Sequence, residues 1–420
     1  MPSAPRITAG TGEDAAYKSA ESDALKRAAM AFGEGLEQLY RQTGDWLEIV
    51  DTGTQAPNAR RGAKLAERDA APDRHTVIPC IGAAMRGRIT ERVVTVGGGT
   101  GSYTMLSELK RVANQLWAVV AMTDSGGSSR RLMDQFGHPL PLGDLRQALV
   151  ALSRSSRLWS DLFRYRFPDA PSGDIGGHSL GNLILHALED INEGELLGAL
   201  ADAQELLDTV GHVLPVTLAR ATLCAELSDG TVVRGETEID RPGNRPILPI
   251  ERVFLDPPVS VLPQVRKALQ RADKILIGPG DLYTSVVPCL LTEGVRDAVQ
   301  ASDGEVIYIC NVMTKRGETD GYRASDFVRT VHRYLGRRVD AVIVNTAAPT
   351  AELTERYAEE GSAMVEPDLE AVRALVPQVR AGQFASTEPL MRHDAERVVL
   401  GIWPELEGEA GFAPRSGPPP

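Results

Sequence analysis

Residues 92–102 read Arg-Val-Val-Thr-Val-Gly-Gly-Gly-Thr-Gly-Ser and decide the fold. The apolar run 93–96 has the length of a buried strand, and helix-like periodicity follows over 103–110. Glycines between the two allow a tight turn and bring backbone N–H groups to a helix start, where anions are stabilised. The stretch therefore predicts a strand, a helix and, between them, an anion-binding turn formed by Gly97, Gly98, Gly99, Thr100 and Gly101.

This turn fits neither of two common phosphate-binding motifs. Ser102 stands where the dinucleotide fingerprint GxGxxG needs Gly or Ala. No Gly-Lys-Ser/Thr follows, so the turn is not a Walker loop. An ordinary tight strand–helix turn is the alternative interpretation.

The same pattern recurs along the chain and indicates the fold class. Apolar runs at 117–122, 274–277, 306–310 and 339–344 lack the alternation of half-exposed strands, as parallel strands covered on both faces do. Helical segments separate most of them. We therefore expect an α/β fold, a three-layer Rossmann-like and mostly parallel sheet with helices on both faces. Runs 221–227 and 231–238 flank Ser228-Asp229-Gly230 and predict a β-hairpin insertion.

Composition divides the chain into five predicted segments. Residues 1–21 are polar and predicted to be disordered, 22–50 form an amphipathic helical extension, and 51–90 form a linker rich in Ala, Arg, Pro and Gly. Residues 91–403 form the domain of alternating strands and helices, and 404–420 form a disordered tail.

Charge and cysteine content limit the partners and the compartment. The chain has 420 residues, with 45 basic and 57 acidic side chains, for a net charge of −12. This excess of acid argues against nucleic-acid and membrane partners. The four cysteines are far apart, which suits a reducing cytoplasm and excludes a zinc ribbon. We expect a cytoplasmic protein with a small-molecule partner, and a homodimer remains an open alternative.

Further loops supply candidate ligand-binding residues after the other strands. Asp124 follows the second strand, where a carboxylate can accept from ribose hydroxyls or hold a divalent cation. Arg146 can pair either with Asp144 or with a ligand phosphate. The remaining candidates in these loops are Ser128, Ser129, Arg130, Gly278, Gly280, Asp281 and Asn311. A solvated loop is the alternative for each one alone, but ligands of such sheets bind outside the carboxyl ends of the strands.

Residues 172–182 contain the string Gly-His-Ser-Leu-Gly, which matches the nucleophile elbow of α/β-hydrolases. That motif needs a buried strand directly before it, and here prolines and glycines precede it. We therefore interpret Ser179 and Asn182 as capping or ligand-contacting groups at the start of a helix over 183–191. His178 is a candidate catalytic residue, with a structural histidine as the alternative.

These motifs together resemble a known superfamily. GGGTG, TDSGGSSRRL, GDLR, GGHSLGNL, GPGDLYTSVVP and CNVMTKRGETDGY occur in order over about 92–346. This arrangement is similar to the bacterial gluconeogenesis factors and to the 2-phospho-L-lactate transferases of deazaflavin coenzyme synthesis. The resemblance looks closer to the bacterial gluconeogenesis-factor and transferase-related branches than to the coenzyme enzymes.

The resemblance implies a nucleotide site at the strand ends and two alternative functions. The transferases move a phosphorylated hydroxyacid from a nucleotide-activated donor with Mg²⁺, whereas the gluconeogenesis factors bind a UDP-sugar and regulate carbon flux or cell-wall synthesis. By motif, the glycines of the first turn would contact phosphates, Asp124 would contact metal, ribose or acceptor hydroxyl, and other loop residues would line the cleft. The superfamily often has two consecutive acids where this chain has Asp124-Ser125, which puts metal-dependent transfer in question.

Three hypotheses follow from the residues and the resemblance. The first is a transferase in which Asp124 holds the metal and Asp124 and His178 are catalytic. The second is a non-catalytic nucleotide-sugar sensor. The third is an NAD-dependent oxidoreductase, which the imperfect fingerprint and the additional phosphate-like loops weaken. The superfamily's chemistry favours the first over the second by a small margin.

Overall fold

A computed structural model describes residues 89–124, 140–168, 176–243, 245–386 and 390–407. The predicted segments 1–21 and 22–50 and nearly all of the linker lie outside the described residues, as do Ser128, Ser129 and Arg130. The described residues fall into two compact units. The smaller contains Phe167, Pro168, Gly176 and Gly177, where the Gly177 N–H donates to the Phe167 carbonyl at 2.9 Å. The larger contains all the others.

The larger unit is built on a seven-stranded parallel sheet, which confirms the predicted α/β class. The strands are β1 Ile89–Gly97, β2 Ala113–Val120, β3 His212–Pro215, β4 Thr222–Leu227, β5 Val232–Arg234, β6 Ile250–Asp256, β7 Lys274–Ile277, β8 Glu305–Ile309, β9 Ala341–Asn345, β10 Gln378–Gly382, β11 Ala385–Ser386 and β12 Arg392–His393. Their order in the large sheet is β10-β9-β8-β7-β1-β2-β3. Two small antiparallel sheets accompany it, β5-β4-β6 and β11-β12.

Helices surround the sheet and bury its apolar residues. In β8, residues 306–309 are all fully buried, as expected of a strand covered on both faces. The helices are α1 Gly99–Val112, α2 Gly143–Leu152, α3 Arg157–Arg164, α4 Leu180–Ile191, α5 Leu196–Leu206, α6 Glu236–Asp240, α7 Pro263–Arg271, α8 Val287–Leu291, α9 Val295–Gln300, α10 Ala324–Leu335, α11 Ala351–Glu359, α12 Leu369–Leu375 and α13 Ala395–Ile402. A π-helical turn, Leu282–Val286, precedes α8.

The β-hairpin insertion is confirmed, with two differences from the prediction. β4 and β5 pair in antiparallel register, but the second predicted strand is shorter than 231–238. Gly235 adopts φ +99°, which ends the strand, and α6 follows. β6 also pairs with β4, so the insertion is a three-stranded sheet rather than a hairpin alone. We call residues 222–256 the insertion.

The carboxyl-terminal boundary of the packed domain lies beyond the predicted one. Pro404–Leu406 forms a 3-10 helix, and Leu406 is buried. The Trp403 indole N–H donates to Glu91 at 2.5 Å, which attaches this end of the chain to β1. The three cysteines that the structure describes, Cys224, Cys289 and Cys310, are buried and form no disulfide with one another. None of the helices in these ranges is long and apolar enough to cross a membrane.

The strand order places a topological switch point at the centre of the sheet. From β1 the chain adds β2 and then β3 on one side, and later adds β7, β8, β9 and β10 on the other. β1 is thus hydrogen-bonded to both β2 and β7. In open parallel sheets a crevice forms outside the carboxyl ends of two strands whose connections run in opposite directions. The loops after β1 and β7 lie at that crevice.

Candidate functional site

Residues 97–102, the β1 loop, turn the chain sharply from strand to helix. Gly97 has φ +156° and Gly99 has φ +71°, conformations that favour glycine. Gly98 is the N-cap of α1 and is extended, and it provides no side chain to cap the helix. The predicted phosphate-binding glycines therefore form the N-terminus of α1, where the first backbone N–H groups have no partner within the helix. Thr100, in the first turn, is exposed.

Residues 278–285, the β7 loop, pack directly against the β1 loop. Gly278 has φ +77° and the Gly278–Pro279 peptide is cis. The Ser102 hydroxyl donates to the Pro279 carbonyl at 3.2 Å. A Cβ at Gly101 would lie 3.0 Å from that carbonyl oxygen, and a Cβ at Gly280 would lie 3.0 Å from the Gly98 carbonyl oxygen. The glycines thus permit two backbones to touch.

A third loop supports the β7 loop from the adjacent strand. Asn311 follows β8, and its Nδ2 donates to the Gly280 carbonyl at 2.8 Å. The Tyr308 hydroxyl donates to Asn311 Oδ1 at 3.1 Å, which fixes the amide orientation. Asn311 therefore contacts the backbone of the β7 loop.

A small, open pocket lies beside the β1 loop, lined among others by Gly97, Gly98, Gly99, Ser102, Tyr103 and Asp144. Asp144 lies in the first turn of α2, and the Gly99 N–H donates to its carboxylate. Burial, and next the nearby Asp124 carboxylate, raise the pKa of Asp144 to about 6. Asp281 also raises it. Three carboxylates thus lie near the glycine turn, and Asp144 is the one that the sequence analysis does not select as a ligand residue.

Arg146 and Asn182, two of the predicted ligand-binding residues, are hydrogen-bonded to each other. The Arg146 Nε donates to Asn182 Oδ1 at 2.9 Å, and its Nη1 donates to the Phe163 carbonyl at 3.2 Å. Burial, and then the neighbouring Arg166, lower the pKa of Arg146, while Asp144 raises it. The guanidinium therefore connects α2, α3 and α4. The Asp144 carboxylate is the nearby charge of opposite sign.

Ser179 has the geometry of a helix cap. It is the N-cap of α4, and its Oγ accepts from the Asn182 N–H at 3.2 Å. The side chain of His178, directly before it, is buried at 1% exposure. Helix α4 begins at Leu180, three residues before the predicted start. The structure thus gives Ser179 the capping position that the sequence predicts.

We expect Ser179→Ala to lower the free energy of unfolding by about 0.5–1 kcal/mol, because the Asn182 N–H keeps the Ser179 carbonyl as an acceptor but loses the hydroxyl. Ser179→Thr, which keeps a hydroxyl at this buried position, should retain more of the stability. Urea unfolding of the two variants measures the difference. Equal losses in both would show that Ser179 is not a cap.

Asp281, the last predicted residue of the β7 loop, forms an ion pair. Its Oδ2 lies 2.5 Å from Lys315 Nζ, in the loop after β8. Lys315 belongs to the CNVMTKRGETDGY motif but is not among the predicted site residues. No local sequence pattern identifies its role, because two of its carboxylate partners are 34 and 75 residues away.

The structure therefore brings together Gly97, Gly98, Gly99, Gly101, Gly278 and Gly280 with Asp124, Asp144, Asp281 and Asn311. Arg146 is influenced electrostatically by Asp144, and Asn182 accepts a hydrogen bond from Arg146. His178 is buried next to the α4 cap. Ser128, Ser129 and Arg130 lie outside the described residues.

Comparisons with known proteins agree with this architecture. Residues 93–385 match the 2-phospho-L-lactate transferase CofD family. A gluconeogenesis factor of Bacillus subtilis is 38% identical over 310 residues, which cover 73% of this chain and 95% of that protein. A gluconeogenesis factor of Listeria monocytogenes is 38% identical over 335 residues, covering 77% and 99% respectively. Residues 6–54, outside the described part, also match the Rad52/22 family of double-strand break repair proteins.

A solved structure supports the same relationship. A crystal structure of a protein from Bacillus halodurans superposes with a TM-score of 0.70 at 37% identity. The match covers 75% of this chain and 100% of that one. The N-terminal ninety residues, which resemble neither branch by motif, precede the matched region.

Proposed function

Because this chain belongs to the 2-phospho-L-lactate transferase CofD family, with gluconeogenesis factors among its relatives, we propose that it binds a nucleotide-linked metabolite at the crevice where the β1 and β7 loops meet. The observation that carries this proposal is the contact between the two loops at the switch point, where Ser102 donates to the Pro279 carbonyl. The glycines of the two loops bring their backbones together, and the glycines of the β1 loop line a pocket beside the start of α1. The backbone N–H groups at a helix N-terminus bind phosphate oxygens.

Magnitudes indicate that several loops must act together. A helix terminus contributes at most about 1–2 kcal/mol and a charge-assisted hydrogen bond about 1.5–3 kcal/mol. Micromolar affinity needs about 8 kcal/mol. One loop does not supply this, so the proposal requires both loops and their neighbours to contact the same ligand.

The family also implies Mg²⁺, and the acidic residues fit it. Asp124 and Asp144 are close enough for one carboxylate to raise the pKa of the other, which is the arrangement that a divalent cation relieves. Asp144 thus supplies a second carboxylate near Asp124, where the chain lacks the consecutive acid of the family. Bound Mg²⁺ would neutralise phosphate charge. The backbone N–H groups at the start of α1 and the Asn311 side chain would orient the ligand.

Two uses of this site remain, and each has its own support. The relatives are named gluconeogenesis factors, which favours a regulator. The resemblance described from the sequence implies that its ligand is a nucleotide sugar. The Asp124–Asp144 pair favours transfer of a phosphorylated group from a nucleotide-activated donor, because it can hold a metal. We propose ligand binding as the function common to both, and group transfer as the second candidate.

A thermal-shift panel tests the proposal and separates these uses. GTP, GDP, UDP-glucose, UDP-N-acetylglucosamine and NAD are compared with and without Mg²⁺, since a ligand at 100 times its Kd adds about 2.7 kcal/mol of stability. Stabilisation by a guanine nucleotide that needs Mg²⁺ supports transfer, and stabilisation by a UDP-sugar without metal supports the regulator. Stabilisation by NAD alone, or by none of these, contradicts the proposal.

Asp124→Ala should weaken nucleotide binding by about 10-fold to 100-fold, because a charge-assisted interaction of about 1.5–3 kcal/mol is lost. The melting temperature without ligand should fall by no more than about 2 °C. Asp124→Asn, which keeps the shape but not the charge, distinguishes metal binding from hydrogen bonding to ribose. A large loss of stability without ligand would instead make Asp124 structural.

A further inference from the structure

Lys315 lies in the loop after β8 and has three carboxylate neighbours. Its ammonium forms an ion pair with Asp240, lies 2.5 Å from an oxygen of Asp281 and lies 3.1 Å from an oxygen of Glu318. Oxygens of the three acids are all within 4.8 Å of one another. Carboxylate oxygens this close together can coordinate one metal ion. In this structure the Lys315 ammonium lies between them.

The surroundings hold this arrangement in place. The Glu318 side chain is fully buried, and the Thr284 hydroxyl donates to it at 3.2 Å. The Lys315 backbone N–H donates to the Thr319 hydroxyl at 2.9 Å. Burial alone would lower the pKa of Lys315, but Glu318 and then Asp281 outweigh it and raise that pKa above its ordinary value. The lysine is therefore charged at neutral pH.

The three acids come from three different parts of the fold. Asp240 ends α6 of the insertion, Asp281 belongs to the β7 loop, and Glu318 lies after β8. Asp281 is also the residue directly before the π-helical turn, and its carbonyl accepts from the Ser285 and Val286 N–H groups. One ammonium thus connects the insertion to the loop that contacts the β1 loop.

We propose that Lys315 is a positioning residue for the nucleotide site, a built-in cation that takes the place of a metal ion among Asp240, Asp281 and Glu318 and holds the β7 loop against the insertion. The expected effect of Lys315 on ligand binding rests on the function proposed above. The ion pairs among Lys315 and the three acids do not depend on that function. Removal of the ammonium should leave a carboxylate set suited to a divalent cation and a less well positioned β7 loop.

The test compares full-length wild type with Lys315→Met, which keeps the aliphatic stem, and Lys315→Arg, which keeps the charge. Bound Mn²⁺ is counted by electron paramagnetic resonance without nucleotide. Lys315→Met should bind one Mn²⁺ more than wild type, and the double variant Lys315→Met/Asp240→Asn should lose it. Lys315→Arg should bind the same number as wild type.

Ligand affinity is the second measurement, with GDP and UDP-glucose as probes in the buffer in which wild type binds. Lys315→Met should raise the Kd at least 10-fold, and Lys315→Arg should stay within about 3-fold of wild type. No additional Mn²⁺ in Lys315→Met overturns the proposal, and so does an unchanged Kd. If wild type binds neither probe, the proposed function fails, and the Mn²⁺ count alone decides the role of Lys315.

Discussion

Gly101→Val should abolish measurable nucleotide binding, with an increase in Kd on the order of 100-fold or more. A Cβ at this position would lie 3.0 Å from the Pro279 carbonyl oxygen and 3.3 Å from the Gly280 nitrogen. Both atoms are backbone, so neither can rotate away, and the two methyl groups of valine need still more room. The β1 and β7 loops must therefore move apart, which removes the contact on which the proposed site depends.

The same substitution should lower the free energy of unfolding by about 1–3 kcal/mol, the usual cost of overpacking. Gly230→Ala is the matched control. Gly230 has φ +85° in the turn of the insertion, and a Cβ there has nothing within 4 Å. It should lose about 1 kcal/mol through backbone strain but bind nucleotide normally. Isothermal titration of both proteins measures the difference, and normal binding by Gly101→Val would contradict the account.

Gly181→Ala should destabilise the protein by about 3 kcal/mol, because α3 and α4 pass too closely for a methyl group. The Cβ would lie 2.5 Å from the Phe163 carbonyl oxygen and 2.7 Å from Arg146 Cδ. Displacement of the Arg146 side chain would also break its bond to Asn182. The second glycine of the Gly-His-Ser-Leu-Gly string therefore serves close helix packing.

Gly198→Ala provides the control for helix glycines. Its Cβ would lie 2.4 Å from Asn192 Oδ1, a side-chain atom rather than backbone. The Asn192 side chain can turn aside, but only by weakening its hydrogen bonds to the Leu188 carbonyl and to Asp202. Alanine also gains up to about 1 kcal/mol of helix propensity over glycine, which offsets part of this cost. We expect a clearly smaller loss of stability than for Gly181→Ala, measured by urea unfolding of both variants. Equal destabilisation by the two substitutions would mean that backbone proximity at Gly181 is not the cause.

Sequence patterns predict the central strands well, because burial on both faces leaves a continuous apolar run. The run 274–277 coincides with β7, and 306–310 differs from β8 by one residue at each end. β3 and β10 are not predicted. β3 has four residues and ends in proline, and β10 is an edge strand with exposed and partly exposed positions. β3 is a strand because it pairs with β2, and β10 because it pairs with β9. Local sequence patterns do not reveal such pairing.

The candidate site shows the same division between local and long-range information. Glycine turns are predictable because only glycine tolerates φ +71° at Gly99 and φ +77° at Gly278 without strain. Asp144 is not, because its place beside Gly99 depends on how α2 packs against α1. The Lys315 cluster is still less accessible, since it joins residues up to 75 positions apart.

The central claim is that the β1 and β7 loops bind one ligand together. Hydrogen–deuterium exchange of the full chain tests it most directly, with and without whichever of GDP or UDP-glucose stabilises the protein more. We expect slower amide exchange on binding in both 97–103 and 278–286, with β9 unchanged as an internal reference. Protection of only one of the two segments, or of neither, would contradict the shared site.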